Sequence, residues 1–239
     1  MSQATAAPPA VDYDSPEMRK KRTSTVAWVV GLAFTGMVFD GYDLVVYGAV
    51  LPRFMNHSVL GEPLSPELAG LVGAYAMIGV TLGALIAGTI GDIIGRRAVV
   101  LGALAWFSVG MILTAWAPSI TMFSIWRFVT GLGVGALVGI VGAIVSEFAP
   151  PGKKNLATAF TYAGVPVGSL ISALLAMVIL PAMNAPDPDQ VMAFRIMFMI
   201  GALPLVTVLP LAIWKLPESV QWLASRGKME QALKVSLKT

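Results

Sequence analysis

Cysteine is absent from the 239 residues, so no disulfide, thiolate nucleophile or Cys-ligated metal site can form. Histidine occurs once, as His57, which excludes a His-rich metal centre. Charge is nearly as scarce: only 12% of residues are charged, against about 25% in an ordinary soluble domain. So few charges cannot cover a water-facing surface. No nucleophile–base constellation, cofactor loop or metal-ligand cluster is present, so neither an enzymatic activity nor a cofactor or metal is expected. The net charge of +3 is small, and no basic patch interleaved with aromatics suggests a nucleic-acid partner. What remains is apolar: 56% of residues are hydrophobic, with 24 glycines of the kind that closely packed membrane helices use. Lipid is the solvent this composition suits.

A membrane helix needs about 20 mostly apolar residues. Six segments meet that length, at about 25–51, 67–90, 98–117, 119–147, 156–181 and 192–215. Polar breaks separate them, at 52–66, 91–97, Pro118-Ser119, 150–155 and 184–190. The fold class expected is an all-α membrane protein of six transmembrane helices. Residues 1–23 read as a disordered tail, 24–216 as the helical bundle, and 217–239 as a cytoplasmic linker. Basic residues fall in alternate breaks: Arg19 to Arg22 before the first span, Arg96 and Arg97 after the second, Lys153 and Lys154 after the fourth, and Lys215, Arg226, Lys228, Lys234 and Lys238 after the sixth. The positive-inside rule then places both termini in the cytoplasm and the protein in the cell (inner) membrane.

A charge at mid-bilayer costs about 2.5–3.5 kcal/mol on insertion scales, so charges inside spans are functional candidates. The first span carries Asp40 and Asp43, three residues apart and hence on one helix face, extended by Gly36 and Tyr47. The fourth carries Arg127. At 1.5 Å per residue, Asp40 lies about 16 Å and Asp43 about 12 Å from the outer end of the first span, and Arg127 about 12 Å from the outer end of the fourth. The three are expected at one depth around one polar cavity, with Arg127 near one or both acids. One base against two acids leaves a surplus carboxyl, whose burial beside a like charge favours its protonated form, so Asp40 and Asp43 are the candidate proton carriers. A packing-only ion pair is the competing reading, but buried pairs stabilise poorly. Gly131, Gly135 and Gly139, and Gly79, Gly83 and Ala87, form ridges at four-residue steps where a second helix backbone can approach.

The break after the second span reads GTIGDIIGRR, residues 88–97. It resembles the loop signature of the major facilitator superfamily, G-x-L-A-D-R-x-G-R-R, with Ile93 in place of the usual basic residue after the Asp. Arg127, Gly131 and Gly133 resemble the superfamily's fourth-helix motif. Leu216, Pro217, Glu218 and Ser219, followed by Trp222, Leu223, Arg226 and Gly227, resemble its P-E-S motif. The first span, DGYDLVVYGAVLP from Asp40 to Pro52, is similar to the aromatic acid:proton symporters, and among them to benzoate-type members. The fifth span's Gly164, Pro166 and Gly168 lack the ending of the antiporter motif, which favours symport.

The resemblance implies roles for Asp40, Asp43, Asp92, Arg127 and Glu147. Asp40 and Asp43 would carry protons. Arg127 would bind the substrate carboxylate, with Tyr47 against its ring. Gly91, Asp92, Gly95, Arg96, Arg97 and Glu147 would form a cytoplasmic gate, Glu147 pairing with Arg96 or Arg97. The implied activity is proton-coupled import of benzoate, hydroxybenzoate or a related aromatic carboxylate, and the implied partners are that substrate, protons and lipid. Other organic anions or sugars are the near alternative, and a non-transporting fragment or sensor the second class. Superfamily members have twelve helices in two halves, so the chain is expected either to lack a C-terminal six-helix half or to pair with a second copy of itself.

Overall fold

The computed structural model describes residues 16–61, 63–150, 152–182 and 184–236, and what it describes is helical bundle with short connections. Six helical spans are long and apolar enough to cross a membrane. The first four are single helices: α1 (Pro16–Asn56), α2 (Pro66–Ile94), α3 (Arg96–Ala115) and α4 (Ile120–Phe148). The fifth joins α5 (Lys154–Tyr162) to α6 (Gly164–Ile179). The sixth joins α7 (Asp187–Gly201), a 3-10 turn at Leu203–Leu205, and α8 (Val208–Lys215). Two short helices follow, α9 (Val220–Ser225) and α10 (Met229–Ser236).

Local chemistry sets these boundaries. Ser65 caps α2, accepting from the Leu68 N–H at 3.4 Å, with Pro66 in the first turn where a missing N–H costs nothing. Ser119 caps α4 in the same way through Met122, directly after the tight turn at Pro118. Pro166 cannot donate to the carbonyl of Tyr162, and the fifth span breaks there at Ala163. Pro204 does the same to the sixth span, where the chain tightens into the 3-10 turn.

Two expectations need correction. The tail expected to be disordered to residue 23 is helical from Pro16. Proline is pre-organised for a first turn, and the Glu, Met, Arg and Lys that follow are good helix formers with nothing to break the run. The rest of that tail, residues 1–15, lies outside the described residues. The sixth span begins at Asp187 rather than 192, because Pro188 fits the first turn and Asp187 and Asp189 complement the helix dipole there.

The second span packs along the fourth, the fifth along the first, and the third between the fourth and the sixth. Glycine makes the two closest pairings. A Cβ on Gly79 or Gly83 would collide with the backbone carbonyls of Phe128 and Leu132, and one on Gly131 or Gly135 with those of Ala76 and Val80. The ridges read from the sequence therefore face one another, backbone on backbone. A second such contact joins α1 to α6: Gly41 lies on the carbonyl of Val165, and Gly164 and Gly168 on those of Phe34 and Val38. Between the pairs run two apolar cores. One is built around Phe54, Phe107, Met111, Phe123, Phe194 and Phe198, the other around Val100, Leu104, Leu137, Val141, Ile144 and Val208.

Gly135→Ala is expected to cost about 1–3 kcal/mol, since backbone rather than a flexible side chain must give way. Gly102→Ala, at a position with nothing within 4 Å, should leave stability unchanged or slightly raised. Thermal unfolding midpoints of the two variants in one detergent measure the contrast.

Candidate functional site

Arg127 reaches across from α4 to the first span. Arg127 and Asp43 form an ion pair through Arg127 Nη1 and Asp43 Oδ1, and both residues are buried, at 5% and 6% exposure. Removal of two charges from water is repaid only by good pairing, yet this pairing is incomplete. Arg127 Nε is buried with no hydrogen-bond partner. The guanidinium thus keeps a donor edge free inside the bundle.

Aromatic rings enclose the pair. The Arg127 guanidinium carbon lies 5.7 Å from the Tyr47 ring centroid and 5.9 Å from that of Phe198, within cation–π range. Phe123 packs edge-on against Phe198 at 5.5 Å and Phe54 at 5.2 Å, and tilted against Tyr47 at 6.2 Å. Tyr47 donates its hydroxyl to the Ala69 carbonyl at 2.7 Å, which ties its ring to the second span. Tyr42 donates to the Met197 carbonyl at 2.7 Å and ties the first span to the sixth.

Asp40 has a different setting. It is partly buried and forms no ion pair or hydrogen bond with any described residue. Its charge reaches Asp43 on one side and the Tyr162 phenol of α5 on the other. Of the two acids, Arg127 therefore takes Asp43, and Asp40 is the surplus carboxyl. Tyr162, which donates to the Val138 carbonyl at 3.1 Å, lies within electrostatic range of Asp40 although its sequence neighbourhood carries no signal of a site.

The second-to-third loop lies at the opposite end of the spans from Ser119. Arg96 pairs with Glu147, whose other oxygen accepts from the Ser219 hydroxyl. Glu218 accepts from the backbone N–H of Arg97 at 3.1 Å and so caps α3, a helix whose Gly95 N-cap position supplies no side-chain oxygen. Gly95 has φ +105° and faces the Glu218 carboxylate where a Cβ would stand. Glycine is thus required there twice, for conformation and for room. Gly91 presses on the side chain of Ile140. Arg97 reaches the carbonyl of Ile213 at 2.6 Å rather than an acid. Asp92 is exposed, and only its backbone carbonyl is engaged, by Trp222 Nε1 at 3.1 Å. Arg226 Nη2 donates to the Ile93 carbonyl at 2.6 Å. Of the residues read as a gate, the structure joins Arg96 to Glu147 and leaves the Asp92 side chain apart from both. Glu218, Ser219, Trp222 and Arg226 complete the network; the sequence shows them only as parts of a motif.

Loss of either partner of Asp43–Arg127 leaves a buried, unpaired charge, at a cost of about 3–5 kcal/mol. Asp43→Asn and Arg127→Gln should each lower stability by that order, and the double variant should recover much of it. Asp40→Asn should show no coupling to Arg127→Gln. Double-mutant cycles on thermal midpoints read both.

The chain matches the sugar (and other) transporter family over residues 28–239. It is 35% identical over 207 residues to the benzoate transport protein of Acinetobacter baylyi, covering 84% of this chain and 41% of that protein. It is 37% identical over 183 residues to the gentisate transporter of Corynebacterium glutamicum, covering 76% of this chain and 38% of that protein. The fold matches that of the major facilitator proton:xylose symporter XylE with a TM-score of 0.80 at 24% identity, over 91% of this chain and 50% of that chain. The chain thus spans about two fifths of the length of these curated relatives. It belongs to the sugar (and other) transporter family of the major facilitator superfamily, a family of membrane transporters rather than enzymes, and corresponds to the N-terminal half of such a transporter.

Proposed function

We propose that this chain is the substrate- and proton-handling half of a symporter that imports aromatic carboxylates such as benzoate or hydroxybenzoate. The reading rests above all on Arg127, a buried guanidinium with Asp43 on one edge, an unpartnered Nε and aromatic rings around it. A guanidinium fork matches a carboxylate, and the Tyr47 and Phe198 rings suit an aromatic body beside it. Relatives named for benzoate and gentisate add weight.

The mechanism follows from charge balance. Arg127 neutralises one carboxylate. When the substrate carboxylate takes the free edge, Asp43, Asp40 and the substrate together outnumber Arg127 by two negative charges, and each proton taken up by Asp43 or Asp40 removes one. Substrate and proton then enter together. Moving one anion against an inside-negative potential costs about 2.3 kcal/mol per 100 mV, and one accompanying proton removes that cost. Asp40, with no counter-ion of its own, is the acid to which Asp43 can pass the proton without losing Arg127.

The Arg96–Glu147–Ser219 network is the inner gate of this scheme, with Gly91 and Gly95 giving the close fit and Arg97 and Asp92 bracing it through backbone contacts. The basic residues in alternate breaks support a cytoplasmic side for this network and both termini, in the cytoplasmic membrane. Residues 24–216 are the transmembrane unit, and 217–239 begin the cytoplasmic linker. A neutral sugar is the second reading, favoured by the breadth of the family, but it leaves Arg127 Nε without an acceptor of matching charge.

Cells expressing the whole native reading frame should take up radiolabelled benzoate or 4-hydroxybenzoate when an inward proton gradient is imposed. Arg127→Ala should lower that uptake about tenfold to a hundredfold, the worth of one or two charged hydrogen bonds, and Asp40→Asn should lower it by removing the surplus proton acceptor. Uptake of a neutral sugar instead would favour the second reading, and uptake of neither, with insertion demonstrated, a non-transporting role. Arg96→Ala should abolish uptake while inserting normally; near-normal uptake would remove the gate assignment.

A further inference from the structure

Arg195 is an intramembrane charge that the transport scheme does not use. It lies in α7, eight residues or about 12 Å into the sixth span. It forms no ion pair or hydrogen bond with any described residue, and its Nε is buried without a partner. It does not face the bundle interior where Arg127 sits. Met192, Ile196 and Met199 share its helix face at helical spacing, and all three are exposed, so this stripe looks outward from the bundle.

A second group converges on it. Trp116 ends α3 just before the tight turn at Pro118, at the same end of the bundle as the start of α7. The Arg195 guanidinium carbon lies 4.8 Å from the Trp116 ring centroid. Trp116 is 60% exposed, and its indole N–H has no partner among the described residues. With Nε buried, the edge left to an outside partner is the one formed by the two terminal amino groups, which no described residue engages. Such an edge takes two oxygens of one anion side by side. Tryptophan at a span end is also where the headgroup layer begins.

We propose that Arg195 and Trp116 form a binding site for the phosphate of a membrane phospholipid, with the acyl chains lying along Ile196 and Met199. The ligand chemistry is a phosphodiester monoanion, and its source is lipid rather than free phosphate, because the flanking surface is apolar along the direction the chains would run. Arg195 supplies the paired donors, Trp116 supplies a ring face and a third donor, and the phosphate supplies the counter-charge that no described residue of the chain offers.

The test is native mass spectrometry of the full-length protein in detergent supplemented with phosphatidylglycerol, with diacylglycerol, or with inorganic phosphate. Wild type should retain one more phosphatidylglycerol than Arg195→Gln, with retention falling about tenfold or more in the variant. Arg195→Lys should retain an intermediate amount, and Trp116→Phe less than wild type. Diacylglycerol, which lacks the phosphate, should not be retained at this site. Equal phosphatidylglycerol counts in wild type and a monodisperse Arg195→Gln would overturn the proposal. So would retention of inorganic phosphate without lipid, or loss of self-association in Arg195→Gln with lipid counts unchanged, which would assign the counter-charge to another protein chain.

Discussion

The contact on which this bundle turns is the Asp43–Arg127 ion pair, two charges held away from water where each alone would be prohibitively costly. Its geometry is delivered by backbone, not by the charged residues themselves. Glycines let α4 lie on α2, and a separate set lets α6 lie on α1, so the helices bearing the charges are positioned to within the reach of one side chain. Packing and electrostatics are therefore one constraint, because in lipid close packing takes over what the hydrophobic effect supplies in water.

The pair is also asymmetric, and the asymmetry is what makes it more than a fastener. Asp40 and Asp43 sit one helical turn apart, yet one is buried against Arg127 and the other looks toward Tyr162 on α5. Gly41, between them, is pressed on the Val165 carbonyl beside the break in the fifth span. Whatever alters that break alters the seat of both acids.

Much of this was legible in the sequence. Lipid as solvent, six spans and the glycine ridges follow from composition and four-residue spacing, because membrane helices must be long, apolar and small-faced to pack; that the two ridges face one another does not. The meeting of Arg127 with an acid followed from depth alone, since equal rise along neighbouring helices brings charges level. Depth says nothing of azimuth, so it did not separate Asp40 from Asp43. The aromatic enclosure was invisible for a related reason: Phe54, Phe123 and Phe198 come from three spans, and nothing in one helix's pattern says which rings of another it meets. The same holds for Glu147, which had two arginines to choose from and took Arg96. Arg195 escaped notice because it sits in an apolar run near a span end, where a lone cation reads as an anchor rather than a site. The breaks at Pro166 and Pro204 were not read from the sequence, where a proline alone does not mark a break: Pro52 and Pro210 lie inside helices that continue.

The cap of α3 carries a consequence for how the chain is made. Arg97 N–H and the Glu218 carboxylate that receives it are 121 residues apart. The turn between the second and third spans is therefore synthesised, and enters the membrane, long before the group that closes its helix end exists. Until the segment beyond the sixth span emerges from the ribosome, Arg96 has Glu147 but Glu147 lacks Ser219, and the start of α3 has no side-chain cap. This end of the bundle is the last of the six spans' surfaces to be completed, and a nascent chain halted before residue 218 would hold six spans around an unfinished end.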